Sequence, residues 1–328
     1  MDIKRENKLV NSKKEDRLAL VSSLYYEENK TQLEISKRFG ISRSGVSRLL
    51  TEARKRGIVE IIIHHPLRTV DLLERELKRV FGLKDVKILA GEYRSEEEML
   101  RLLGHLAAVY LEDLLNDGLR IGISWGSALH EMIKALKTVS MPNIEIYQLI
   151  GATGSEDLPM SGPNLSQMLA RKLSCRNYQI HAPLIVKNVK TKEVLLSEQN
   201  IKSNLESAAH SDIALVGIGS TREDLNSLIR TGYLSKEETK NIRELGAVGD
   251  VCAQHYNLMG EYLDIDVNQR VIGIDLGSLK HIETRIGVAG GSSKAQTIHG
   301  ALRGGYVNVL ISDEQAAKRI LALAEVQK

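Results

Sequence analysis

The sequence predicts an α/β protein in two parts, an N-terminal winged helix-turn-helix followed by a Rossmann-like, doubly wound parallel sheet. Three observations predict it. Thr31 to Gly57 (TQLEISKRFGISRSGVSRLLTEARKRG) reads as two short helices around a tight turn. From Lys84 onward, apolar strand-like runs alternate with amphipathic helices, the pattern of a parallel sheet covered on both faces. Basic charge is concentrated at one end: residues 1–66 hold 14 Lys/Arg against 9 Asp/Glu, and the remaining residues hold 31 against 33. The expected division is therefore 1–66 and 67–328, with Pro66 to Thr69 as the boundary.

In the first part a helix is expected over Glu15–Glu28, with Leu18, Val21, Leu24 and Tyr25 inward. Thr31 followed three residues later by Glu34 is a capping box that starts the second helix. Gly40-Ile41-Ser42 breaks the pattern, and Ser42 can cap a third helix. There Val46, Leu49, Leu50 and Ala53 recur at helical spacing and face inward. Arg43, Ser44, Ser47, Arg48 and Thr51 remain outside. Gly57 ends this helix, and Ile58–His64 (IVEIIIH) reads as a strand that begins a wing. His64 and His65 are not a metal pair, because adjacent strand residues point to opposite faces.

An apolar-backed helix with an Arg and Ser outer face suits a DNA major groove, where arginine bonds guanine and hydroxyls reach bases or phosphates. Arg54, Lys55 and Arg56 close it, where cations complement the helix dipole and can meet phosphates. Thr31, Gln32, Ser42, Arg43, Ser44, Ser47, Arg48 and Arg54 are the candidate DNA contacts. A charged, solvated helical hairpin is the plainer alternative.

In the second part Val70–Phe81 reads as a short amphipathic helix, either a spacer or a dimer contact. Strands are expected at Val86–Leu89, Leu119–Ile123, Ile144–Ile150, Asp212–Gly219, Arg285–Val288 and Tyr306–Ile311. Helices are expected at Ser95–Asn116, Ser127–Lys137, Asn164–Leu173, Glu237–Leu245, Asp250–Leu258, Lys294–Leu302 and Glu314–Leu323. Ser155–Pro163 is expected to be a loop over a pocket.

Ligands of such sheets bind beyond the carboxyl ends of strands. Three glycine-rich loops fall there: Gly122-Ile-Ser-Trp-Gly-Ser127, Gly217-Ile-Gly219-Ser-Thr221 and Ala289-Gly-Gly-Ser-Ser-Lys294. Small residues let backbone amides approach an anion at a helix N-terminus. Ser124 and Ser127 add hydroxyls, and Trp125 either walls the site or is core. A lysine opening a helix opposes the dipole, and a bound phosphate would resolve that conflict, so Lys294 is the leading contact. Asp250 and Asn164 are either hydroxyl acceptors or helix caps. The candidate ligand set is Ser124, Trp125, Gly126, Ser127, Gly151, Asn164, Gly219, Asp250 and Lys294. None of the loops is a Walker motif or a dinucleotide fingerprint, so no cofactor is expected. Cys175 and Cys252 lack metal-ligand spacing, and so few cysteines fit a reducing cytoplasm. The polar N-terminus is not read as a signal peptide, and no apolar run approaches a membrane span.

With QLEISKRFGISRSGVSRLLTEARKRGIVEI, GISWGSAL, DIALVGIG, GAVGDVC and GVAGGSSKAQTIHGALRGGYVNVLISDEQAA, the chain resembles the SorC family of bacterial transcriptional regulators over nearly its full length. That family's effector domain is similar to sugar-phosphate isomerases and deaminases. The resemblance implies that GISWGS and GGSSK form a phosphate subsite and that Asp250 meets sugar hydroxyls. It also implies a homotetramer on an operator, controlled by a sugar or sugar phosphate. Where the deaminases carry a DGHIAFNEP-like stretch, this chain reads GSTREDLNSL, without the histidine. The expectation is therefore a sensor and not an enzyme. The rivals are a sugar-phosphate enzyme with an attached DNA-binding domain, and a DNA-binding scaffold whose sheet only oligomerises.

Overall fold

The computed structural model describes residues 3–59, 67–152 and 160–326. The chain folds as two units, Met1–His65 and Pro66–Lys328.

The first unit is three helices, α1 (Ile3–Tyr26), α2 (Gln32–Phe39) and α3 (Arg43–Lys55). The capping box forms at the start of α2. The Thr31 hydroxyl accepts from the Glu34 amide at 3.3 Å, and the Glu34 carboxylate accepts from the Thr31 amide at 2.8 Å. Gly40 takes the left-handed conformation that closes α2 (φ 62°), and Ser42 caps α3 by accepting from the Gly45 amide at 3.1 Å. Val21 and Leu24 of α1, Ile35 of α2, and Val46 and Leu50 of α3 form one closed core. Burying each such side chain contributes on the order of 2 kcal/mol, which holds α2 and α3 against α1, helices too short to persist singly. Ile58 and Val59 are bends. The rest of the expected wing strand Ile58–His64, with His65, lies outside the described residues.

The second unit runs α4 (Asp71–Phe81), β1 (Asp85–Leu89), α5 (Glu96–Leu114), β2 (Arg120–Ile123), α6 (Ser127–Ala135), β3 (Glu145–Gln148), α7 (Gly162–Leu173), β4 (Arg176–Tyr178), α8 (Val189–Ser197), α9 (Gln199–Ala209) and β5 (Ile213–Ser220). It continues through α10 (Ser227–Arg230), α11 (Lys236–Glu244), β6 (Ala247–Val251), β7 (Gln254–Asn257), α12 (Asp266–Gln269), α13 (Leu276–His281), β8 (Thr284–Val288), a 3₁₀ turn (Ser292–Lys294), α14 (Ala295–Arg303), β9 (Val309–Asp313) and α15 (Glu314–Val326). The main sheet has the order β1-β9-β8-β5-β2-β3-β4, every neighbouring pair parallel. Its strands are almost wholly buried, such as Ile213–Val216 and Val309–Asp313, as a sheet with helices on both faces requires. From β2 the chain moves outward to β3 and β4, and from β5 it moves the other way to β8 and β9. The switch point thus lies between β2 and β5.

Four details differ from the sequence reading. Asp250–Leu258 is not a helix. β6 and β7 form an antiparallel hairpin, attached to the end of β5 by Ile218–Ser220 pairing with Val251–Gly249. Its turn residues Cys252 and Ala253 are both left-handed (φ 52° and 61°) and buried. Glycine or asparagine normally announces such a turn; without either, the segment looks helical. The Val70–Phe81 helix, α4, is no spacer, since Leu73 and Leu77 are buried in the main core. The boundary segment is built into the sheet edge: Thr69 bridges Leu89 antiparallel, Val70 donates to Ile88 O at 3.0 Å, and Ala90 donates to Arg68 O at 2.8 Å. Finally, the strand read at Tyr306–Ile311 starts later, at Val309, and runs to Asp313.

Candidate functional site

On the first unit, Arg43, Ser44, Ser47, Arg48 and Arg54 are exposed on α3, and Gln32 is half-buried at the start of α2. The hydroxyls of Thr31 and Ser42 are engaged as caps, and Ser42 Oγ also meets Ser44 Oγ at 2.9 Å. These two residues therefore shape the turn before they touch anything else. Arg56 is not free: Glu52 holds it at 2.8 Å and also holds Lys14 of α1 at 2.8 Å. Among the described residues Arg43, Arg48 and Arg54 make no ion pair, so α3 carries uncompensated positive charge, as do Arg17 of α1 and Lys37 and Arg38 of α2.

On the second unit, the loops after β2, β5 and β8 converge, because these three strands are neighbours in the sheet. They line a cavity of ≈ 460 Å³ together with the start of α5, α10 and the β6–β7 hairpin. Trp125, Gly126, Ser127, Gly219, Asp250 and Lys294 line it, as do Glu96, Glu97, Arg230 and Met160.

Trp125 is 9 % exposed and forms a wall, so both readings of it hold at once. Gly126, at φ 128°, precedes α6, whose first turn has no side-chain cap. Helix N-terminal amides without a side-chain cap are favourable to an anion. Gly219 faces Asp250 across the β5–β6 pair, and a Cβ there would lie 2.0 Å from Asp250 Oδ1. Only glycine leaves room for that carboxylate. Asp250 is 6 % exposed and accepts a hydrogen bond from the Ala253 amide. Burial pushes its carboxyl pKa up, opposed by the charges of His255 and Lys294. It belongs to strand β6, so the cap reading is wrong.

Lys294 is the last residue of the 3₁₀ turn and the N-cap of α14, so it opens that helix as expected. Its ammonium folds back over the end of β5 and donates to Ile218 O at 3.2 Å. Burial lowers its pKa, while Asp250 and Glu96 attract it and Arg230 repels it. The conflict with the helix dipole is thus partly relieved by protein groups, without any bound phosphate. The loop behind it is pinned by Asp313, a buried carboxylate that accepts from the Gly291 amide at 2.5 Å.

Three of the expected residues do not line this cavity. Ser124 is buried, and its hydroxyl accepts from the Gly217 amide at 3.2 Å, tying the first loop to the second. Gly151 donates to Ile272 O at 2.8 Å, at a crossing with the 182–184 segment. Asn164 lies in the first turn of α7, whose N-cap is Ser161. Part of the expected pocket loop Ser155–Pro163, residues 155–159, is outside the described residues. Sequence reasoning missed Arg230, which reaches the cavity from the four-residue helix α10 and bonds Ser227 Oγ at 2.9 Å. The one available signal was Asn226, which caps that helix by accepting from the Leu228 and Ile229 amides.

A helix-turn-helix with a free basic face, and a doubly wound domain with a ligand-sized cavity at its switch point, define a ligand-responsive DNA-binding regulator. Comparison with known proteins narrows this. Residues 65–322 match the family described as "Putative sugar-binding domain", and residues 15–56 match sigma-70, region 4. The chain is 34 % identical over 306 residues to an uncharacterised transcriptional regulator, YjhU, of Escherichia coli, covering 91 % of this chain and 92 % of that protein. It is 30 % identical to the deoxyribonucleoside regulator of Bacillus subtilis, covering 91 % and 95 %. Among solved structures, the full-length sorbitol operon regulator SorC from Klebsiella pneumoniae superposes with a TM-score of 0.71 at 30 % identity, over 94 % of this chain and 99 % of that one. The chain belongs to the SorC family of transcriptional regulators, with a helix-turn-helix and a sugar-binding domain.

Proposed function

We propose that this regulator controls a carbohydrate-utilisation operon by binding a sugar phosphate in the cavity between β2, β5 and β8. The phosphate is held by Lys294 and Arg230, with the uncapped amides at the start of α6 and the Ser127 hydroxyl. The sugar hydroxyls bond to Asp250 beside Gly219, and Trp125 covers one face. The observation that carries this reading is the half-buried Lys294 ammonium, turned into the cavity and given only a backbone carbonyl as a hydrogen-bond partner. A desolvated cation beside unpaired amides favours an anion strongly. The α3 residues Arg43, Ser44, Ser47, Arg48 and Arg54 read an operator half-site in double-stranded DNA. The chain works as a homo-oligomer, a tetramer, in the cytoplasm. No described helix is long and apolar enough to cross a membrane. It senses and does not turn over its ligand: its relatives are named regulators, and 219–228, from the end of β5 onward, holds no histidine.

For ligand to switch DNA binding, it must bind two states of the protein unequally. A thermal-shift screen of sugars and sugar phosphates, with and without operator DNA, tests this. A phosphorylated sugar is expected to raise the melting temperature, and Lys294→Ala to abolish that rise while sparing operator affinity. Arg48→Ala is expected to do the converse, weakening operator binding by about 1–3 kcal/mol. An undiminished ligand response in Lys294→Ala overturns the phosphate assignment, and steady turnover of the bound sugar phosphate overturns the sensor.

A further inference from the structure

The cavity is not uniformly suited to anions. Beside Lys294 and Arg230 it is lined by four carboxylates, Glu96, Glu97, Glu131 and Asp250. Two of these are already engaged. Glu131 is paired with His130 and with Lys134, both at 3.3 Å, and Asp250 accepts the Ala253 amide. Glu96 and Glu97, in the first turn of α5, have no hydrogen bond or ion pair among the described residues. Glu98 beside them is engaged, accepting from the Arg94 amide at 2.8 Å. A helix start tolerates carboxylates in any protein. Here Glu96 and Glu97 line the same cavity as Lys294, and the Glu96 charge attracts the ammonium. Arg230 lines the same cavity as Lys294 and repels its charge, so both cations serve one pocket.

We propose that the first turn of α5 is a charge filter. Glu96 and Glu97 restrict the ligand to a single anionic group with a neutral, hydroxyl-bearing remainder, and exclude sugars carrying a second phosphate. This rests on the phosphate reading above and adds the ligand's net charge to it. One phosphate is matched by the two cations and the α6 amides. A second would enter against two carboxylates at the exposed rim of the cavity, a repulsion that discriminates by removing a partner's affinity without adding any to the correct ligand. In return, the same carboxylates accept hydrogen bonds from hydroxyls.

The test uses the full-length protein at low ionic strength, where the repulsion is least screened. Calorimetric titrations compare the monophosphates of fructose and ribulose with the bisphosphates of the same sugars, and inorganic phosphate serves as a probe of the anion end alone. The unsubstituted protein is expected to bind a monophosphate at least about tenfold more tightly than its bisphosphate. Glu96→Gln/Glu97→Gln is expected to close most of that gap and to bind inorganic phosphate more tightly. Equal or tighter bisphosphate binding by the unsubstituted protein overturns the filter, as does a gap that survives the double substitution; either leaves the phosphate reading in place. Failure of every phosphorylated probe, inorganic phosphate included, to bind overturns the phosphate reading and the filter with it.

Discussion

The two units are built in opposite ways. In the helix-turn-helix, every device is local. Thr31 meets Glu34, Ser42 meets Gly45, and the α3 face is set by residues three and four apart. In the cavity, Lys294 donates to Ile218, Gly219 makes room for Asp250, and Ser124 holds Gly217. Those partners come from loops that only the sheet order brings together. A locally encoded site can be lost by one change to its small core, and a site assembled from distant strands by breaking a pair.

The largest expected effect follows from the first half of that contrast. Val46→Asp places a carboxylate at a fully buried position in the first unit, at a cost of about 3–5 kcal/mol. Much of the stability of so small a core is lost. Operator binding should disappear while sugar-phosphate stabilisation of the second unit persists, and calorimetry with and without ligand separates the two. If both responses vanish together, the units do not fold independently.

Next are Asp250 and Lys294, a buried and a half-buried charge that attract each other without forming an ion pair. Either Asp250→Asn or Lys294→Met alone removes the opposite charge that offsets the other's burial, which should cost about 2 kcal/mol; the double substitution should recover part of it. Urea titrations of the cycle measure this. The pH dependence separates the members. Burial raises the Asp250 pKa, so between 3.8 and its raised value the folded protein binds the extra proton, and stability falls as pH rises through that window. Burial depresses the Lys294 pKa, so between the depressed value and 10.5 the unfolded chain binds the extra proton, and stability rises with pH there. Asp250→Asn should flatten the first slope and Lys294→Met the second. The smallest expected effect is Thr31→Ala, which removes the hydroxyl half of the capping box and should cost the first unit about 1 kcal/mol, read as a small drop in its melting temperature.

The same contrast explains what could be read from the sequence. The caps, the turn and the inward face of α3 carry residue-type signatures within a few positions, and their structural counterparts match. The apolar strands and the three glycine loops were also legible, because burial on both faces and strand-to-helix turns mark composition. The β6–β7 hairpin was not, since Cys252 and Ala253 occupy left-handed positions without a turn residue to announce them. Ser124 misled because a serine in a glycine-rich loop has the same signature whether its hydroxyl meets a ligand or the neighbouring loop's amide. Arg230 was invisible because a helix of four residues shows no periodicity.

The Glu52 clasp on Lys14 and Arg56 has a measurable consequence for how this protein searches a genome. Two cations tied to a carboxylate displace few ions from the duplex, and each one withheld flattens the fall of log affinity with log salt by about one unit. The basic surplus of the N-terminal unit therefore overstates its hold on arbitrary sequence. A weaker sequence-blind hold shortens residence at wrong sites and leaves more of the discrimination to the α3 residues proposed to read the operator.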